Sequence, residues 1–157
     1  MKKTATMLLL LLFSFVINAQ QLRVNEVDDF TGNSKKFSKN YIIGVRGQRH
    51  LKASFKNIND SYAVSVYVTS KSFGCSGTDK SYIIFLFEDG TKLRLGKDVE
   101  DINCRDYATS TFRISSSELY MLSNRVVKKI RFSQSDGYWD FDTSGTYSVS
   151  QQISIIK

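Results

Sequence analysis

The amino-acid sequence predicts a mainly β protein, an antiparallel β-sandwich or open barrel with one short α-helix at about residues 115–124. Three observations support this prediction. Apolar residues recur at every second position in several short segments, turn signals such as Asp-Gly separate the segments, and a capped helical pattern occurs once. Because proline is absent and glycine is scattered, no flexible linker is expected within the domain.

The start of the chain has the features of a secretory signal peptide. Two lysines precede an apolar run that ends at Ile17, and Ala19 supplies the small residue that suits signal peptidase. This run is shorter than the about 20 apolar residues that a membrane span needs. We therefore expect a signal peptide at 1–19 and a single β-rich domain at 20–157. The mature protein is expected in the periplasm or outside the cell, without a membrane span.

The first clear strands lie at 51–58 and 61–70. The segment LKASFKNI alternates apolar and polar residues, and SYAVSVYVTS does the same after the turn sequence NIND. Alternation with a period of two is typical of strands with one buried face, so the two segments are expected to form an antiparallel pair. The residues expected on the buried face are Leu51, Ala53, Phe55, Tyr62, Val64, Val66 and Val68.

A second hairpin is predicted at 81–95, because the dipeptide Asp89-Gly90 suits a two-residue type I′ turn. Pairing Glu88 with Thr91 across this turn defines two faces. The face expected in the core pairs Leu86 with Leu93 and Ile84 with Leu95. The other face carries Ile83, Phe85, Phe87, Lys92 and Arg94. That second face is either buried, with the basic stems lying over it, or an aromatic-basic binding surface.

The helix is predicted from SSSELYMLSNR, which starts at residue 115. Ser115 and Glu118 have the spacing of a capping box, and Leu119 and Leu122 lie on one helical face. Asn124 is expected to end the helix in the left-handed conformation. After it, VVKKIRF opens a strand. The segment GTYSVSQQISIIK is interpreted as a last strand with a bulge at 151–152, through Tyr147, Val149, Ile153 and Ile155.

A third hairpin is predicted in IRFSQSDGYWDF, residues 130–141. With Asp136-Gly137 as a two-residue turn, Phe132 lies opposite Phe141 and Arg131 forms a cross-strand ion pair with Asp142. The residues expected to share the core face are Ile130, Phe132, Trp139 and Phe141. Trp139 is therefore expected at the edge of the core, whereas Tyr138 points the other way and is a candidate for binding.

The two cysteines, Cys75 and Cys104, are expected to form a disulfide, because export places them where disulfides persist. Such a bridge stabilises a domain by about 3 to 4 kcal/mol in the chain-entropy account. The alternative is a free nucleophilic thiol activated by His50, the single histidine.

The basic composition suggests where a partner binds. Without the signal peptide, 20 basic residues face 15 acidic ones, which is a net charge of +5. The residues nominated as an anion-binding patch are Arg46, Arg49, His50 and Lys52, and Tyr138 joins them as a candidate binding residue. An acidic glycan or an envelope protein is the expected kind of partner. Export argues against nucleic acid, and the ordinary alternative is a solvated, basic strand edge.

No pattern in the sequence indicates an enzyme. The single histidine, His50, lies in the basic stretch VRGQRHLK, which is more typical of a solvated strand edge than of a catalytic site. Nucleophile-elbow, phosphate-loop, zinc and Cys-x-x-Cys motifs are absent, and no cofactor is expected. Two acidic clusters lack the order of a calcium loop, so no metal site is predicted. These clusters are Asp98, Glu100, Asp101 and Asp106, and Asp136, Asp140 and Asp142.

Several segments together resemble small exported β-rich proteins of unassigned function that are common in Bacteroidetes-type bacteria. They are NAQ at the signal end, VDDFTG, FGCSG, the Asp-Gly hairpin, SSSELYML and VVKKIRFSQSDGYWDF. The resemblance implies an exported antiparallel β fold and no catalytic or ligand residue. The expected function is a binding or interaction module for a glycan, a peptide or an envelope partner. The alternative is an inhibitor of a hydrolase that inserts the loop KSFGCSGTDKS.

Overall fold

The computed structural model describes residues 22–68, 81–96, 99–103, 108–134, 137–143 and 148–157. These residues form strands that pair in antiparallel fashion and two short helices. The strands are β1 Leu22–Val27, β2 Ser34–Ser38, β3 Tyr41–Arg46, β4 Arg49–Ile58, β5 Ser61–Val68, β6 Tyr82–Phe87, β7 Lys92–Leu95, β8 Val99–Asn103, β9 Ala108–Ile114, β10 Val127–Gln134 and β11 Gly137–Asp142. The helices are α1 Ser116–Asn124 and α2 Val149–Ile156.

All eleven strands belong to one open sheet, in the order β7-β6-β10-β11-β3-β4-β5-β9-β8, while β2 pairs with β4 and β1 pairs with β2. The long strand β4 is paired along its first half by β3 and along its second half by β2. Among the described residues, β11 meets β3 through one pair, Asp142 opposite Val45. This seam joins two parts of the sheet, β7-β6-β10-β11 and the strands from β3 onwards.

The two parts of the sheet share one core. The Phe112 ring on β9 meets the Phe132 ring on β10 edge to face, with centroids 6.5 Å apart. The Gln134 side-chain amide on β10 also donates to the Ser110 hydroxyl on β9, at 3.0 Å. Strands from opposite ends of the sheet therefore pack against each other. The predicted class, mainly antiparallel β with the form of a sandwich or open barrel, is confirmed.

The hairpin of β4 and β5 is also confirmed. Leu51 pairs with Val68 and Phe55 with Val64, and all four side chains are fully buried. At the turn between the strands, Asn59 and Asp60 both have positive φ, of 49° and 61°. Asparagine and aspartate tolerate this left-handed conformation better than most residues, which explains why NIND reverses the chain here.

The hairpin of β6 and β7 has a different register from the predicted one. Phe87 and Thr91 close a three-residue loop, in which the Asp89 carboxylate accepts hydrogen bonds from the Thr91 amide and hydroxyl, at 2.9 and 2.6 Å. The pairs are Ile83 with Leu95, Ile84 with Arg94, Phe85 with Leu93 and Leu86 with Lys92. A shift of one residue exchanges the two faces of a strand.

The prediction that Ile84 and Leu86 face the core is therefore wrong. Phe85 and Phe87 are buried, at 0% and 1% exposure, on the face that was expected to be aromatic-basic. Lys92 and Arg94 lie on the opposite face from these phenylalanines, so the four residues form no common surface. The physical reason is the Asp89 side chain, which caps the longer loop and displaces the pairing.

The hairpin of β10 and β11 keeps its predicted faces but not its predicted register. Ile130, Phe132 and Phe141 are fully buried, and Trp139 packs half-buried at the edge of the core, as expected. The pairing ends at Gln134 opposite Gly137, two residues from the predicted register. A shift of two leaves every side chain on its own face. The residues that change partner include Phe132, which pairs with Trp139, and Arg131, which pairs with Asp140 in place of Asp142.

The first helix confirms the predicted cap. The Ser115 hydroxyl and the Glu118 carboxylate form a reciprocal capping box, and Leu119 and Leu122 are buried. The prediction for Asn124 is wrong, because this residue lacks positive φ and its side-chain amide instead donates to the Tyr120 carbonyl, at 2.8 Å. The chain leaves the helix through an extended Arg125.

The described part of the last predicted strand is a helix, and Tyr147 lies outside the described residues. Ser148 and Gln151 form a second capping box at the start of α2. The buried residues of α2 are Val149, Gln152, Ile153 and Ile156, which follow helical spacing. The helix is tied to the sheet by the Asn57 side-chain amide, which donates to the Ile156 carbonyl at 2.9 Å. The predicted bulge at 151–152 is replaced by the first turn of this helix.

The predicted signal peptide at 1–19 and the predicted disulfide between Cys75 and Cys104 lie outside the described ranges. Of the loop proposed to inhibit a hydrolase, only its last residue, Ser81, is described. Neither of the two helices has the length and apolar character needed to cross a membrane.

Candidate functional site

The surface with the most distinctive chemistry is the side of β7-β6-β10-β11 that points away from the core. Side chains alternate along each strand, so the residues between the buried ones share this side. We call it the outer face. Its members are Tyr82, Ile84 and Leu86 of β6, Lys92 and Arg94 of β7, Lys129, Arg131 and Ser133 of β10, and Tyr138, Asp140 and Asp142 of β11.

Strand pairing arranges these residues in cross-strand rows. One row runs Arg94, Ile84, Arg131 and Asp140, and the next runs Lys92, Leu86, Lys129 and Asp142. A third row places Tyr82 and Tyr138 on either side of Ser133. Two strand spacings separate the tyrosines, which is about 10 Å.

Each tyrosine carries an arginine on one face of its ring. The guanidinium carbon of Arg94 lies 4.3 Å from the Tyr82 ring centroid, and that of Arg131 lies 4.0 Å from the Tyr138 ring centroid. Gly96 makes room for Tyr82, because a Cβ at this position would meet the Tyr82 Cβ at 2.9 Å. Tyr138 remains 54% exposed. The outer face therefore presents two tyrosines held in place by cations.

A shallow groove of about 220 Å³ lies beside these stacks. Half-buried Ile84 and Leu86 form an apolar floor, while the side chains around them are charged. The charged lining residues are Lys92, Lys129, Arg131 and Asp140. A concave apolar surface with a few polar groups at its rim is the usual form of a ligand site.

The strongest ion pair on the outer face joins Arg131 to Asp140. The guanidinium donates to both carboxylate oxygens, at 2.6 and 2.8 Å. This hydrogen bonding, reinforced by the charges of Arg131, Lys129 and Arg46, lowers the pKa of Asp140 below its ordinary value. The same contact raises the pKa of Arg131. Arg131 is thus locked between Asp140 and the Tyr138 ring.

The other cations of the outer face are held less tightly. The Lys129 ammonium lies 3.3 Å from an Asp142 oxygen, and both side chains are mostly exposed, at 52% and 78%. Lys92 forms no ion pair with any residue of the described ranges. An exposed pair of this kind contributes little to stability, so both lysines remain available to an external anion.

The nominated basic residues are divided between different surfaces. Arg46 lies opposite Arg49 at the end of the β3-β4 hairpin, where the Arg49 guanidinium carbon lies 4.1 Å above the Trp139 ring. His50 and Lys52 flank the buried Leu51 and so point away from the core on β4. Lys52 lies 6.0 Å from the Tyr67 ring centroid. Of the five nominated residues, Tyr138 belongs to the outer face, and Arg46 is close enough to influence Asp140 electrostatically.

Sequence patterns missed part of this surface. Lys92 and Arg94 were assigned to an aromatic-basic face with the wrong aromatic partners, and Tyr82 and Lys129 were not singled out. The strand YIIFLF is apolar on both faces, so its pattern alone does not choose the buried one. The two phenylalanines on one face could have identified that face as the buried one, because bulky aromatic residues bury more area than aliphatic residues.

The described residues contain no group of three or more histidine, cysteine or acidic side chains that could hold a metal ion. Of the second acidic cluster, Asp140 and Asp142 contact Arg131 and Lys129, and Asp136 is outside the described ranges. In the first cluster, no side chain is described. Comparison with known proteins finds no matching family model, no matching curated protein and no matching solved structure.

Proposed function

We propose that this protein is an exported binding module that takes a glycan on its outer face. The observation that carries the proposal is the pair of tyrosines, Tyr82 and Tyr138, each backed by an arginine beside a groove with an apolar floor. A sugar ring has an apolar face and a rim of hydroxyl groups. Tyrosine has the matching character, an apolar body with a polar tip, and so suits contact with both parts of a sugar.

The surrounding polar groups add hydrogen-bonding capacity. Asp140 offers acceptors, and Lys92 offers donors that no described ion pair occupies. The arginines restrict the motion of the tyrosines before any ligand arrives, which reduces the entropy lost on binding. A sheet face with fixed aromatic and charged side chains is therefore suited to an extended, polar ligand.

Binding to a glycan array, followed by calorimetry with a purified oligosaccharide, tests the proposal. Tyr82→Ala and Tyr138→Ala are each expected to weaken binding about tenfold, because each removes one ring contact. Tyr120→Ala is the matched control: Tyr120 is 68% exposed on α1 and does not belong to the outer face. Failure of every glycan to bind, or full binding by a folded double variant, would contradict the proposal.

A further inference from the structure

The middle row of the outer face places two lysines around one leucine. Leu86 pairs with Lys92 on one side and with Lys129 on the other. Strand spacing puts the two lysine Cα atoms about 10 Å apart, with the Leu86 side chain between them. Lysine has a flexible four-carbon stem, so both ammonium groups are able to reach one anion above Leu86.

The charges of the outer face distinguish these two lysines from the arginines. Arg131 already donates to both oxygens of Asp140, and Arg94 lies against Tyr82. Lys129 has only the loose, exposed contact with Asp142 at 3.3 Å, and Lys92 has no ion pair within the described residues. The four cations and two carboxylates leave a net charge of +2, of which one unit lies in the row of Lys92, Lys129 and Asp142 and one in the row of Arg94, Arg131 and Asp140.

The Asp140 carboxylate makes one end of the groove electrostatically different from the other. It lines the groove beside Arg131, and its lowered pKa keeps it charged. A negative group near Asp140 would be repelled, whereas the same group above Leu86 would lie between Lys92 and Lys129, with Asp142 on the far side of Lys129. The apolar floor of Ile84 and Leu86 favours contact with a sugar ring. No polar group of the floor loses its water when such a ring covers it.

From this arrangement we infer that the groove is the subsite for an acidic sugar. The carboxylate or sulfate of that sugar lies between Lys92 and Lys129 above Leu86, and the sugar ring covers Ile84. The neutral part of the glycan extends towards Asp140 and Tyr138. This inference rests on the proposed function, since it names the class of sugar that the outer face takes.

Calorimetry with four glycans of matched length tests the inference: a uronic acid oligosaccharide, its carboxyl-reduced form, a sulfated neutral oligosaccharide and the unsulfated parent. The acidic ligands are expected to bind about tenfold more tightly than their neutral forms, and added salt should weaken only the acidic ones. Comparison of the uronate with the sulfate identifies which acid group the subsite prefers.

Charge-removing variants locate the subsite. Lys92→Gln and Lys129→Gln are each expected to weaken acidic-glycan binding about tenfold and to leave neutral-glycan binding unchanged. Lys39→Gln is the matched control: it lowers the net charge equally from the link between β2 and β3, outside the groove lining. Thermal melting of each variant verifies folding.

The outcomes separate the two proposals. If tyrosine substitutions abolish binding but acidic and neutral glycans bind equally, the acidic subsite is wrong and the glycan-binding function stands. An equal loss for Lys39→Gln and Lys92→Gln also overturns the subsite, because general attraction would then explain the preference. If no glycan of any kind binds, both proposals fail.

Discussion

The Arg131–Asp140 pair is the clearest electrostatic feature at the scale of single residues. Both side chains are partly exposed, so solvent screens the interaction and its contribution to stability stays below about 1 kcal/mol. The pair matters more for order, because two hydrogen bonds and the Tyr138 ring together fix one guanidinium orientation.

The lowered pKa of Asp140 predicts a pH dependence. The pKa of this carboxyl in the folded state lies below its ordinary value of 3.8. The carboxylate therefore stabilises the fold at pH values above 3.8, and this stabilisation is lost as the pH falls through the folded pKa. Asp140→Asn is therefore expected to lower the free energy of unfolding by up to about 1 kcal/mol at pH 7. The difference from wild type should shrink as the pH is lowered from 7 to about 3, where carboxyl groups begin to take up protons.

Urea unfolding at both pH values measures this difference. An Arg131→Gln variant and the double variant complete the cycle and isolate the coupling between the two side chains. The electrostatic assignment is refuted if the difference between wild type and Asp140→Asn is the same at both pH values.

Replacement of Gln151 or Gln152 of α2 by methionine is expected to change the free energy of unfolding in opposite directions. Gln152 is fully buried, and neither of its side-chain polar atoms has a hydrogen-bond partner among the described residues. Gln151 completes the capping box with Ser148. Gln152→Met should raise the free energy of unfolding by about 1 to 2 kcal/mol, because it removes two unsatisfied polar atoms at nearly constant shape. Gln151→Met should lower it by about 0.5 to 1 kcal/mol.

Chemical denaturation of the two variants gives the comparison directly. A loss of stability in Gln152→Met would mean that the amide has a bonding partner that the described residues do not include. Equal effects at the two positions would indicate a general response of α2 to methionine.

At the scale of elements, the capping boxes decide where the helices begin. Ser115→Ala should lower the free energy of unfolding by about 1 kcal/mol, because the Glu118 amide loses its acceptor. Ser116→Ala, one residue later in the first turn, should be neutral or slightly stabilising, since alanine is the better helix former. Thermal melting of both variants checks the contrast, and an equal loss at 115 and 116 would argue against the cap.

The same elements explain where sequence reasoning failed. Ser148 and Gln151 have the capping spacing that correctly identified α1, yet the apolar residues beyond them also fit an alternating pattern. A short apolar segment does not distinguish a strand from a helix by period alone. For β6 and β7, the side chain of Asp89 added one residue to the loop, and this shift moved Phe85 and Phe87 into the core.

At the scale of the whole molecule, the seam between β11 and β3 joins the two parts of the sheet. Gly44 lies buried against Phe141, where a Cβ would meet the Phe141 Cβ at 2.7 Å. Gly44→Ala should therefore lower the free energy of unfolding by about 2 kcal/mol, through overpacking at the seam. Gly137→Ala, which meets nothing within 4 Å, should change it by less than about 0.5 kcal/mol.

Denaturant unfolding followed by fluorescence of Trp139, which lies beside the seam, measures both variants. Equal stability of Gly44→Ala and wild type would show that β3 and β11 separate easily without loss of the fold. A comparable loss in Gly137→Ala would trace the effect to β11 itself.

Local sequence patterns correctly predicted the antiparallel β class, the cap of α1 and the buried faces of β4, β5 and the β10-β11 hairpin. These features depend on the spacing of apolar residues within one segment or between two neighbouring strands. A short turn between two strands keeps the alternation of their side chains in step. A register error of two residues in the β10-β11 hairpin left its faces correct for the same reason.

The register of β6 and β7, the helical state of 149–156 and the composition of the outer face depend on tertiary packing and could not be predicted from local sequence patterns. The outer face requires β6 to pair with β10, which brings Ile84 beside Arg131 and Leu86 beside Lys129. Contacts between strands so distant along the chain depend on the packing of the entire core, and no local pattern encodes them. The candidate site therefore exists only in the folded sheet, where these strands lie side by side.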